Sequence, residues 1–195
     1  MNRDLAMFHQ IWQKEHNMTQ QVWPPSGDGL APGTLAVLTA TPAVLEALLG
    51  RQPEDVLNRP GEEGWSPKDV LAHLISIQGP ALVDRVRAML DSDLPSLPNV
   101  DEHETLERSG LRDRPIHELL REFAEQRARA MLFLERLGSE EMRRRGRHEL
   151  AGEVTVADAI HHMCYHDLLH IAQVSSLLAE PIEQRRGAMR QAFPV

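Results

Sequence analysis

Apolar positions along the chain recur at the three-to-four spacing of amphipathic helices, and clean two-residue alternation is scarce. Leu5, Phe8, Ile11 and Trp12 predict a helix within the first twenty residues, which the run P-P-S-G-D-G-L-A-P-G then breaks. A second helix is predicted from about Thr34 to Leu49, with Pro42 straining its middle and Gly50 stopping it. The next has a strong start. Ser66 caps, Pro67 suits the first helical position, and Asp69 completes an S-x-x-D capping box. This helix is expected to run towards Leu90 and to kink at Gly79-Pro80, because Pro80 cannot donate to the carbonyl of Ser76. D-S-D-L-P-S-L-P-N-V-D-E reads as a loop. A helix from near Pro115 to Leu137 carries Leu119, Leu120, Phe123, Ala130, Met131 and Leu134 on one side, and Gly138 closes it. Thr155 and Asp158 repeat the capping pattern. The helix they start is predicted to reach about Ala179, with Pro181 ending it and an irregular tail after Glu183.

These elements predict an all-α fold: a four-helix bundle over residues 31–182, an N-terminal helical extension over 1–30 and a tail over 183–195. The loop lengths allow an up-down bundle with at least one longer crossover. A hydrophobic fraction of 42% and a charged fraction of 26% suit one globular domain with its own core. The net charge of −8 disfavours nucleic acid and anionic lipid as partners. The basic cluster Arg143, Arg144, Arg145 and Arg147, with His148 beside it, reads as a solvated loop, the alternative being a local anion site. No apolar run is long enough to cross a bilayer. The opening M-N-R-D-L-A-M-F-H-Q lacks the pattern of a secretion signal, and a lone Cys164 makes no internal disulfide. A cytoplasmic protein is therefore expected.

The chemistry concentrates in histidines. In H-H-M-C-Y-H-D-L-L-H, His166 and His170 lie four apart, on one face of a helix. With His166 at the centre of the inward face, His162 and His170 fall about 40° to either side, and Ala159, Met163, Leu169 and Gln173 share that face. A metal there takes His166 with His170, or His162 with His166, and a third ligand from another helix. His73 fits that role, flanked on its face by Val70, Ile77 and Ala81. The plainer alternative is a set of core histidines, neutral or paired with carboxylates. Cys164 lies about 160° from His166 around the helix and reads as a small buried hydrophobe. Trp65 reads as core, Tyr165 and Asp167 as packing and surface residues. Asp84 is placed on the side of His73 only if the kink permits. No G-x-S-x-G elbow, G-x-x-x-x-G-K-[ST] loop or G-x-G-x-x-G fingerprint is present. Ile160, Cys164, Leu168, Ile171 and Leu178 form a second apolar stripe on the last helix, which predicts contact with the N-terminal helix or with a second subunit of a homodimer.

Three stretches carry a resemblance: G-W-S-P-K-D-V-L-A-H-L, F-L-E-R-L late in the third core helix, and H-x-x-x-H-D-L-L-H-I-A-Q from His162 to Gln173. Over roughly Gly33 to Ala179 the chain resembles the DinB-like superfamily of four-helix bundles, which includes the YfiT-type metal-dependent hydrolases and bacillithiol- and mycothiol-dependent transferases. The resemblance implies a divalent metal held by His73, His166 and His170, with His162, Gln173 and Gln78 in the pocket or behind the ligands. Relatives often carry glutamate where this chain has Gln78, and the Gly79-Pro80 break is unusual among them. Zinc is the first expectation for the metal, with nickel, manganese or iron open to the same ligands. Three neutral imidazoles leave a dication uncompensated, so a water or thiol bound to it ionises near neutral pH. The expectation is a thiol S-transferase or a hydrolase acting on a small molecule, with a low-molecular-weight thiol as the candidate co-substrate. The alternative is a stress-related bundle that binds metal or ligand without turnover.

Overall fold

The computed structural model describes residues 29–192 of the chain. The helix expected in the first twenty residues lies outside them. The principal helices are α1 (Thr34–Leu49), α3 (Pro67–Ile77), α6 (Ile116–Leu134) and α8 (Val156–Glu183). Both α1 and α3 pack against α6 and α8, which makes the four-helix bundle. Shorter helices connect them, α2 (Glu54–Leu57), α4 (Asp84–Asp91), α5 (Glu102–Ser109) and α7 (Ser139–Met142), and a single turn, α9 (Met189–Ala192), follows α8 in the tail expected to be irregular. No helix among the described residues is long and apolar enough to cross a membrane.

Both predicted capping boxes form. Ser66 Oγ accepts from the Asp69 amide at 3.2 Å while Asp69 accepts from the Ser66 amide at 2.9 Å. Thr155 and Asp158 repeat the exchange at 3.1 and 2.8 Å. These boxes set the starts of the two helices that carry the histidines.

The prolines act differently from one another. Pro42 stays inside α1, and the carbonyl it cannot reach, that of Leu38, accepts instead from Arg127 at 2.9 Å. Gly79-Pro80 yields a π-helical segment, Gln78–Val83, where a kink was expected. The wider turn absorbs the missing donor, and α4 continues with Val86 and Met89 in the core. Pro181 does not end α8, which reaches Glu183. It lies in the final turn, where losing one amide bond leaves the rest of the helix intact. Gly138 does not close α6, which ends at Leu134; it caps α7 instead.

The chain also forms a small sheet that its sequence did not announce. β1 (Ser96–Leu97), β2 (Arg145–His148) and β3 (Gly152–Thr155) lie in that order, β1 parallel and β3 antiparallel to β2. The arginine cluster is therefore not a solvated loop. Arg145 and Arg147 lie in β2, and Arg144 donates to the carbonyls of Met89 at 2.9 Å and Ser92 at 2.7 Å. Gly146 is required here: a Cβ would stand 2.6 Å from a Leu97 methyl and 2.9 Å from Met89 Cγ.

Two apolar clusters fill the bundle. One centres on Leu45, Leu71, Leu74, Leu119 and Phe123, the other on Leu38, Leu82, Val86, Met89 and Ile160. Arg127 touches both, lying 5.0 Å over the Phe123 ring and bonded to Leu38.

Candidate metal centre

α3 brings His73 against α8, and the ligand atoms of His73, His166 and His170 all lie within 4.8 Å of one another. The Nε2 atom of His166 is 3.3 Å from Nε2 of His73 and 3.1 Å from Nε2 of His170. A cation about 2.0–2.1 Å from each nitrogen separates neighbouring ligands by about 3.3 Å at tetrahedral angles and about 2.9 Å at right angles. These two spacings fall in that window and the third pair lies within 4.8 Å, so the donor set can close on a divalent metal.

Hydrogen-bond bookkeeping points the same way. Gln173 Oε1 accepts from Nδ1 of His170 at 2.7 Å, which puts the proton on Nδ1 and turns the Nε2 lone pair inward. His166 Nε2 faces both partner nitrogens. Carrying a proton, it can donate well to only one of its two partners; lacking one, it opposes the His170 lone pair. Three converging lone pairs satisfied by one cation remove that conflict. The Nδ1 atoms of His73 and His166 are buried with no partner among the described residues, a feature that concentrates at functional sites.

The rings are held neutral. Burial, then the neighbouring His170 and His103, lowers His73 to about 2. Burial and the adjacent His170 hold His166 well below its ordinary value, and burial lowers His170 against the opposing Gln173 bond. Neutral imidazole is the form that ligates a metal. His73 is fully buried while His166 and His170 are half-buried, so the centre opens towards solvent on the α8 side.

The inward face of α8 is not centred on His166. Its buried line runs through Val156, Ile160, Met163, Asp167 and Val174, about 80–100° around the helix from His166. His166 and His170 sit on its shoulder, which explains their partial exposure. Asp167 is thus a core residue, fully buried and doubly bonded to Arg127 of α6, not a surface one. Gln78 belongs to the same network. Its Oε1 accepts from Arg127 Nε at 2.5 Å, so it is directed at the guanidinium and makes no bond to an imidazole.

Of the remaining candidates, His162 is exposed beside the centre, its ring 6.2 Å from that of His166. Although the residue as a whole is exposed, desolvation of its ring, then Arg85, lowers its pKa. Trp65 packs on the core and also meets His73 edge-on at 5.1 Å. Asp84 is exposed next to Arg87. Cys164 packs against the second cluster. Of the second apolar stripe of α8, Ile160 is buried and Cys164, Ile171 and Leu178 pack against the two core clusters, while Leu168 is 48% exposed among the described residues. A groove of about 560 Å³ between α1 and α6 contains Pro42, Glu46, His117 and Arg121 but none of the three imidazoles.

Three contributors escaped the sequence reading. Arg127 was signalled by its place between Phe123 and Met131 at four-residue steps on an apolar face. Glu102 and His103 open α5, at the end of the stretch expected to be a loop and just beyond it. Asp101 followed by Glu104 is an N-cap signature, and Asp101 does accept from the Glu104 amide at 2.9 Å.

The arrangement defines a class: a helical bundle with a three-histidine cleft between two of its helices. The DinB superfamily profile matches residues 38–174, well over half of the sequence, and the chain belongs to that superfamily. Among solved structures it resembles one described as "YfiT from Bacillus subtilis is a probable metal-dependent hydrolase with an unusual four-helix bundle topology". That match has 20% identity, covers 84% of this chain and 95% of that one, and has a TM-score of 0.72. A search of curated proteins finds no match.

Proposed function

We propose that the chain is a metal-dependent enzyme, a thiol S-transferase or hydrolase acting on a small molecule, with His73, His166 and His170 holding a divalent cation. The convergence of three imidazole nitrogens at 3.1 and 3.3 Å carries this reading. A divalent cation bound there supplies Lewis acidity, which makes a coordinated water or thiol acidic enough to react near neutral pH. Zinc is the first choice for three nitrogen donors, and a low-molecular-weight thiol is the candidate co-substrate.

The chain's own residues do the rest. Gln173 fixes the His170 tautomer and ring plane. Trp65 braces His73 from the edge, so its nitrogen keeps one direction. The partial exposure of His166 and His170 gives a substrate access from one side, and the buried His73 closes the other. His162 stands where it meets an arriving substrate. The likeness to a probable metal-dependent hydrolase supports the hydrolase branch. We also propose a homodimer that uses the α8 face around Leu168.

A screen of thiol-conjugation and hydrolysis substrates with zinc-loaded full-length protein tests the function. Turnover that disappears on chelation and in His166→Ala supports it. Metal binding without turnover on either substrate panel replaces it with a binding protein.

A further inference from the structure

The cleft holds a carboxylate that neither the histidine pattern nor the helical core calls for. Glu102 is the first residue of α5, and its Oε2 lies 3.7 Å from Nε2 of His73, the nitrogen that faces His166. Three features fix it there. Asp101 caps α5, accepting from the Glu104 amide, so the first turn is formed and the Glu102 side chain has a fixed origin. Leu106 is buried in the same apolar cluster as Leu71 and Leu74, which seats α5 on α3. His103 meets Trp65 edge-on at 5.4 Å, and Trp65 meets His73 at 5.1 Å, so α5 is pinned to the side chain that Glu102 approaches.

We propose that Glu102 is the anionic group of the centre, held beside His73 by α5, where its charge would offset that of the cation and strengthen its binding. This rests on the metal reading above. His73, His166 and His170 ligate as neutral rings, so they leave the full dipositive charge uncompensated in a partly desolvated cleft. The Glu102 carboxylate is 44% exposed, so its own desolvation is modest, while at 3.7 Å from a ligand nitrogen it lies just outside the spacing of neighbouring ligands on one cation, close enough for its charge to act on that cation. The remaining acidic network does not serve this purpose. Asp167 is committed to Arg127, and Asp69 to its capping box and to Arg112 at 3.0 Å. Arg85, which donates to the carbonyls of Ala81 at 3.3 Å and Pro98 at 3.1 Å, also feels the Glu102 charge.

The test compares full-length wild type, Glu102→Gln and Glu104→Gln by chelator competition for zinc and by the visible absorption of cobalt-loaded protein. Glu104 lies on the same helix but pairs with Arg108 on the surface, so it controls for net charge. Glu102→Gln is expected to weaken zinc binding about 10- to 100-fold and to shift the cobalt absorption, with Glu104→Gln at the wild-type value. Glu102→Gln binding within about twofold of wild type with an unchanged spectrum overturns the assignment and leaves the three-histidine centre standing. Equal weakening in both variants overturns it too, as a general field effect. A wild type that binds neither metal removes the centre and the role of Glu102 together.

Discussion

Arg127 donates to the carbonyl of Leu38, the one that Pro42 leaves without its helical partner. A proline that breaks the α1 ladder thus supplies an acceptor for a guanidinium buried in the bundle. The same guanidinium holds Asp167, the residue next to His166, and Gln78 of the π segment. One side chain therefore ties together α1, the π segment, α6 and the helix that carries two of the three central histidines.

Removing that side chain leaves a buried carboxylate and a buried carbonyl unpaired. Arg127→Met is expected to lower the stability of the metal-free protein by about 3–5 kcal/mol in urea denaturation, and adding Asp167→Leu to restore much of it. A single variant within about 1 kcal/mol of wild type, the ordinary range of an exposed pair, is the contrary result.

Gln173 acts through His170. Gln173→Leu keeps a helix-forming residue and removes the acceptor that holds Nδ1. Zinc affinity measured against a chelator should fall about 10- to 100-fold, with helical content unchanged. Unaltered affinity shows that the ring is held by packing alone.

The depressed histidine values make the metal-free protein acid-labile. His73 has an ordinary unfolded value near 6.5 and a folded value of about 2, so the unfolded chain binds the proton first. The stability tied to this ring is full above pH 6.5 and is lost as pH falls from there towards the folded value. At pH 5 His73 alone accounts for a loss on the order of 2 kcal/mol, and His166 and His170 shift in the same direction. Urea midpoints measured from pH 8 to pH 5 should fall across that window, less steeply in His73→Leu after correction for its lower baseline. A flat profile shows that these rings are solvated.

Leu168 tests the subunit contact. At 48% exposure its side chain stands clear of the bundle's own core. The wild type is expected to run as a dimer by size exclusion with light scattering at micromolar concentration, and Leu168→Glu as a folded monomer. A monomeric wild type removes this face as an interface.

What the sequence disclosed follows from local physics. Serine-proline and threonine capping boxes announce α3 and α8 because the bonds join residues three apart, and the four-residue step of His166 and His170 is fixed by helix geometry. The missed features depend on distant partners. The β2 strand contains two arginines and no alternating apolar run, and it pairs because β1 and the hairpin partner β3 supply its bonds. Asp167 reads as surface until Arg127, forty residues earlier, is known to face it. Asp167 lies on the buried line of α8, which runs beside His166 rather than through it, and one helix viewed alone cannot show this. Glu102 becomes visible only once α5 folds against α3.

The central claim is that the three histidines share one cation. Elemental analysis of full-length protein purified without added metal, beside His73→Ala prepared identically, tests it most directly. The account predicts about one zinc or other divalent transition metal per wild-type chain and a loss of most of it in His73→Ala, with both proteins helical. A folded wild type without metal that also fails to take up added zinc contradicts the account, as does a His73→Ala variant that holds as much metal as the wild type.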